Sequence, residues 1–416
     1  MVVTKTLSSG VRVVMEQITH VQSVAIGIWV KAGAVDEDPK YAGISHFVEH
    51  MMFKGTSNRN ARQIAADIDK IGGQINAFTG KEATCYYVKA IYSNYQKAAD
   101  VICDMLNNSL FEREEMNKER MVICEEIKMT QDAPDELCHE TVTSMVFKGT
   151  PLGKSVIGTP TTLNRITHNV MVDYVNREYT KDNIVISVAG NFDIDDVCAY
   201  FETKLPNLKS SKDVKQHDFA EYTPKFKTIA KDIEQSHLCL ATKGLSLDDE
   251  RLYAFGILNN IMGGSMSSRF FQNIREQKGL AYSVYAMQGN FSQDGYFNIY
   301  AGISHDKIKD ALYGIKDELD LLAAAGVTEE ELESSREQLK ASYIFGQENV
   351  SGRMFKNGKN ILLGNQIKSP DEVIEGYNSV TMEDIESVKQ IICNFDQYSA
   401  ALVTNKKFDL KKVMRG

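Results

Sequence analysis

"SVAIGIWVKAGAVDED", residues 23–38, is the stretch from which the architecture of this chain can be read. Its apolar, β-branched run predicts a strand, followed by a Lys/Gly corner and by acidic residues ahead of a helix. Far downstream, "SHLCLATKGLSLDDE" (236–250) repeats that order. The last strand-like segment of each half echoes too: "NIVISVAGNFD" (183–193) and "SAALVTNKKFD" (399–409). A chain of 416 residues is also too long for one ordinary core. Length and repeat together predict an α+β fold of two similar domains related by duplication. Each is expected to be a mostly antiparallel or mixed sheet flanked by helices. "PNLKSSKDVKQHDFAEYTPKF" (206–226) is polar, with little periodicity and a Pro near either end. This places the domains at 1–208 and 227–416, with a linker at 209–226.

The halves differ in chemistry. Directly after the first repeat unit comes "ISHFVEHMMF" (44–53), a helical pattern with His46, Glu49 and His50 amid Ile44, Phe47, Val48, Met51 and Met52. Polar groups inside an apolar run are costly unless paired, hydrogen-bonded or holding a metal. Helix residues four apart share a face, so His46 and His50 offer two imidazoles to one ion, with Glu49 on nearly the same stripe. Two imidazoles and a carboxylate form a catalytic zinc set that leaves a position for water. A third ligand must come from elsewhere. "EREEMNKERMVICEEIKMT" (112–130) reads as a long helix carrying Glu119, Glu125 and Glu126. Glu119 and Glu126 are seven apart and share a face, whereas Glu125 is turned about 100° away. One of that pair reaches the metal, and the other fixes a histidine tautomer. Glu49 then serves as the base that takes a proton from the attacking water. The order His-x-x-Glu-His is the inverted form of the commoner zinc-protease motif.

Composition bounds the alternatives. At 43% hydrophobic and 25% charged the chain is ordinary globular material. A net charge of -9, without basic blocks, argues against nucleic-acid binding. The seven cysteines include no Cys-x-x-Cys pair, which disfavours disulfide scaffolds and thiolate zinc sites and fits a reducing compartment. No leader-like start and no run of membrane-spanning length is present, so the expectation is a cytoplasmic chain without membrane association.

Four segments resemble the inverted-zinc-motif peptidases, the family of mitochondrial processing peptidase, insulin-degrading enzyme and pitrilysin. They are "GISHFVEHMMFKGT" (43–56), "IGGQINAFTGKEATCYYV" (71–88), "KERMVICEEI" (118–127) and "GGSMSSRFFQNIREQKGLAYSVYA" (263–286). The likeness spans nearly the whole chain and is nearest to bacterial single-chain members of processing-peptidase size. It implies a zinc-dependent endopeptidase with His46, His50 and Glu126 as Zn2+ ligands, Glu49 as general base and Glu119 behind the site. It also implies that Asn76, Ala77 and Thr79 lie on a strand edge that binds substrate. Arg275 and Tyr282 match the pair that binds substrate and stabilises the oxyanion. Family members close as two half-size chains around a chamber, so peptide substrates and a homodimer with two composite sites are expected. The interdomain segment has no glycine, unlike the glycine-rich loop of some relatives, which puts loop-guided substrate entry in doubt. The competing reading is a catalytically inactive structural or assembly subunit of the same family.

Overall fold

The computed structural model describes residues 2–205, 208–210 and 221–415, so most of the expected linker (211–220) lies outside the described residues. Eleven described strands form two sheets. The first contains β1 (Val2–Thr6), β2 (Arg12–Gln17), β3 (Ser23–Val30), β4 (Gln74–Thr79), β5 (Thr84–Ile91) and β6 (Ile184–Gly190), in the order β1-β2-β6-β3-β5-β4. The second contains β7 (Phe226–Ala230), β8 (Ser236–Lys243), β9 (Ala281–Asn290), β10 (Gly295–Ile303) and β11 (Ser399–Thr404), in the order β7-β11-β8-β10-β9. Setting β1 aside, the two orders are the same permutation. In each, one pair is parallel (β2 with β6, β7 with β11) and the rest are antiparallel. The two quoted sequence echoes fall on β3 with β8 and on β6 with β11, which are equivalent positions. The duplicated α+β architecture is therefore present strand by strand.

The helices that matter for the site are α1 (Ile44–Met52), α2 (Ala61–Asp69), α3 (Tyr95–Asn108), α4 (Arg113–Asp132) and α5 (Pro134–Val146). α4 runs to the residue before Ala133, and Pro134 opens α5 at a first-turn position where its missing N–H costs nothing.

The chain folds as two compact units that cut across the contiguous ranges 1–208 and 227–416. One takes Met1–Ile127, Lys154–His217 and Phe345–Ile367; the other takes Lys128–Gly153, Asp218–Ile344 and Lys368–Gly416. Burial on both sheet faces explains the crossing. Along β6, Ile184, Ile186 and Val188 join the core beneath α1 and α3, while Val185 and Ala189 point the other way. That second face is covered by Val350, Met354 and Leu362 of the helix Val350–Leu362. A part-buried Glu16–Arg353 ion pair at 2.6 Å and the bond from Ser187 Oγ to the Met354 carbonyl at 2.7 Å fasten it. In the second unit α5 does the same, packing Cys138, Val142 and Val146 on Cys239, Ala241, Ala401 and Val403. A sheet apolar on both faces needs two covering layers. Each half of the sequence supplies the outer layer of the other half's sheet.

Candidate metal centre

α1 starts at a residue that cannot cap it. Gly43 has φ +93°, and a Cβ there would lie 2.8 Å from the Ile157 carbonyl oxygen. The glycine is required, so the orphan amides of the first turn need another acceptor. Glu37 supplies it: Oε2 accepts from the Gly43 amide at 2.7 Å and Oε1 from the Ser45 amide at 2.9 Å. The carboxyl is 3% exposed, and burial pushes it up to about 7 despite those hydrogen bonds. Ile44, Phe47, Val48, Met51 and Met52 anchor the apolar side of α1 in the core.

Its polar stripe meets α4. His46 Nε2 and His50 Nε2 lie 3.7 and 3.6 Å from Glu126 Oε2. One ligand atom from each residue falls within 4.8 Å of both others, the only such grouping among the described residues. Tetrahedral donors 2.0–2.1 Å from zinc lie about 3.3 Å apart, so the two histidine–Glu126 edges are within a few tenths of an ångström of that spacing. Glu126 Oε2 is buried with no hydrogen-bond partner among the described residues, an orphan that a cation would satisfy. Burial, then the neighbouring His50, pushes His46 down to about 4, so its lone pair is free at neutral pH. His50 Nδ1 donates to Glu119 Oε2 at 3.0 Å, so in the neutral ring Nε2 is the nitrogen whose lone pair faces Glu126. Two imidazoles and one carboxylate therefore fit zinc. Glu125 is exposed and stands outside the triangle.

Glu49 is half-buried beside the triangle. Burial raises its carboxyl above the ordinary range, and a hydrogen bond from Thr79 Oγ1 opposes that rise. Thr79 ends β4, which pairs with β5 and is the edge of the sheet among the described strands. Of the three β4 residues expected at the site, Thr79 touches Glu49. Ala77 packs on the core on the same strand face, and Asn76 is exposed on the opposite face. Arg275 and Tyr282 belong to the second unit. There the Arg275 guanidinium lies 4.6 Å from the Phe271 ring centroid and 5.6 Å from that of Tyr282, whose side chain is 74% exposed. Sequence reasoning missed Glu37 and Lys54, whose ammonium lies 2.6 Å from Glu119 Oε1. Lys54 stands four residues after His50, a spacing that could have signalled it.

The site defines a class: an inverted His-x-x-Glu-His helix whose two histidines meet a carboxylate from a distant helix, beside the edge of a mixed sheet. Comparison with known proteins is more specific. "Insulinase (Peptidase family M16)" matches residues 12–160, and "Peptidase M16 inactive domain" matches residues 165–339. The uncharacterized zinc protease YmxG of Bacillus subtilis (strain 168) is 42% identical over 402 residues, covering 96% of this chain and 97% of its own. The uncharacterized zinc protease SCO5738 of Streptomyces coelicolor is 37% identical over 92% of this chain and 85% of its own. A crystal structure described as the peptidase M16 inactive domain from Pseudomonas fluorescens shares the fold, with TM-score 0.91 at 17% identity over 98% of each chain. This chain belongs to peptidase family M16.

Proposed function

We propose that this chain is a zinc-dependent endopeptidase that cleaves peptides or unfolded segments. The carrying observation is the convergence of His46, His50 and Glu126 on one point, with Glu49 held beside it by Thr79. Zinc, when bound, supplies a Lewis acid that polarises the scissile carbonyl and acidifies the attacking water. Glu49 takes that water's proton and passes it to the leaving amine; desolvation makes it a stronger base than an exposed carboxylate. Glu119 holds His50 in the tautomer that presents Nε2. The free edge of β4 pairs with the backbone of an extended peptide, which favours unfolded substrates over folded ones. Arg275 and Tyr282, a cation and a phenol donor, suit oxyanion stabilisation.

The homodimeric clamshell with two composite sites, and 1–208 with 227–416 as the duplicated halves, belong to the same proposal. So does a cytoplasmic location, which the seven free cysteines support. No described helix is long and apolar enough to cross a membrane. The test is a mass-spectrometric digest of mixed peptides, with and without chelator, on the wild type and Glu49→Gln. Glu49→Gln is expected to lose about 10²- to 10⁴-fold in turnover while keeping its zinc. Full activity in that variant sinks the mechanism. Purified chain with little stoichiometric zinc points instead to the structural-subunit reading. For the dimer, Glu49→Gln chains mixed with Tyr282→Phe chains should recover activity, and no recovery at any ratio rejects composite sites.

A further inference from the structure

Glu119 is a buried carboxylate that needs more than one partner. It is 5% exposed, and its two oxygens are divided: Oε2 faces His50 Nδ1 at 3.0 Å, and Oε1 faces Lys54 Nζ at 2.6 Å. A carboxylate taken out of water is tolerated only when its charge is matched and its lone pairs are filled. A neutral imidazole N–H supplies a hydrogen bond but no charge. Lys54 is the cation recorded within ion-pair distance of Glu119 among the described residues.

The backbone keeps Lys54 in place. Its amide bonds the Met51 carbonyl at 3.1 Å, so it stands on the turn that ends α1. Gly55 follows with φ +131°, a left-handed conformation that costs glycine least, and its carbonyl accepts from the Leu110 amide at 3.2 Å. That bond ties the turn to the connection leading into α4, the helix that carries Glu119 and Glu126. The Lys54 ammonium is thus delivered to Glu119 from a backbone pinned on both sides, and its side chain is only 30% exposed.

We propose that Lys54 is a positioning residue for the metal centre: it clamps the Glu119 carboxylate so that Oε2 stays on His50 Nδ1, and thereby sets the affinity of the site for its divalent cation. The chain of contacts is Lys54, Glu119, His50, and each link is a direct polar contact. Two ionic or hydrogen-bonded oxygens restrict the carboxylate to one rotamer, whereas one contact leaves it free to swing about its terminal bond. A loosened acceptor frees the imidazole to turn its Nε2 away from Glu126. Removing an acceptor behind a ligating histidine weakens metal binding by about 10- to 100-fold, and removing its clamp should cost part of that.

This inference rests on the zinc reading above, and its test separates the two. The full-length chain is stripped of metal and titrated with zinc against a chromophoric chelator, and with cobalt while the visible d–d bands are followed. Lys54→Met is expected to weaken zinc binding about tenfold and to shift the cobalt bands. Lys54→Arg, which keeps the charge, should stay within about threefold of wild type. In a Glu119→Gln background Lys54→Met should change affinity by less than about twofold, because the residue through which it acts is already altered. Lys54→Gln replaces the methionine variant if that one does not fold. Wild-type affinity in Lys54→Met, equal losses in the Met and Arg variants, or full additivity with Glu119→Gln each overturn the proposal. A wild-type chain that binds no zinc overturns the metal reading itself.

Discussion

Two helices occupy the same place in the duplicated order. α1 follows β3 in the first unit, and the helix Leu252–Asn259 follows β8 in the second. The second is "LYAFGILN", with Ala254, Phe255, Ile257 and Leu258 all buried and no histidine or carboxylate among its residues. α1 buries a comparable apolar set yet carries His46, Glu49 and His50 on its remaining face. The fold therefore needs only the apolar stripe at this position, and the polar residues of α1 are additions that the architecture does not require. Their entry points differ as well. Arg251 precedes the second helix with no side-chain cap, whereas α1 is held by the buried Glu37.

The contrast can be broken most directly by exchanging losses. His46→Ala should weaken zinc affinity roughly a few hundredfold, taking one of the three proposed ligands from a binding free energy on the order of 10 kcal/mol. The melting temperature of the metal-free chain should hardly move. Phe255→Ala, at a fully buried position, should cost about 3–5 kcal/mol of stability and leave zinc affinity within twofold. Chelator competition and urea unfolding on both variants check this, and a large loss of metal-free stability in His46→Ala ends the distinction.

A smaller effect sharpens the difference in capping. Glu37 is raised to about 7 in the folded chain from an ordinary 4.5, so the folded state holds its proton more tightly between those values. Its stabilising contribution is fully present below about pH 4.5 and is lost as pH rises through about 7. The loss is on the order of 3 kcal/mol. Urea unfolding at pH 5 and pH 8 should show a smaller pH difference in Glu37→Gln than in wild type; an unchanged difference removes Glu37 as its source. Smallest is the edge-strand contact. Thr79→Val should lower kcat about tenfold with zinc affinity unchanged, since it removes one hydrogen bond to Glu49, the proposed base. Steady-state kinetics on one peptide decides it: a rise in KM at constant kcat returns Thr79 to simple substrate binding.

Much of this was legible in the residues. The spacing of His46, Glu49 and His50 put them on one face of α1, and the seven-residue spacing put Glu119 and Glu126 together on α4. What helical geometry left open was which of the two glutamates lies against both histidines. The family resemblance favoured Glu126, and the structure sets Glu126 Oε2 between both Nε2 atoms with Glu119 behind His50. Thr79 was legible as an edge residue, but its bond to Glu49 was not, because strand alternation assigns a face and not a partner.

Local pattern carried the elements, the repeat and the metal helix, since periodicity and helix geometry act over a few residues. Tertiary structure decided everything that depends on contacts distant in the chain. Lys54 meets Glu119 from 65 positions away, and Glu37 reaches across a turn to cap a helix that begins with a glycine. The exchange of α5 and the helix Val350–Leu362 between sheets is likewise invisible locally. An amphipathic helix records that it has an apolar face, and only packing determines which sheet that face covers.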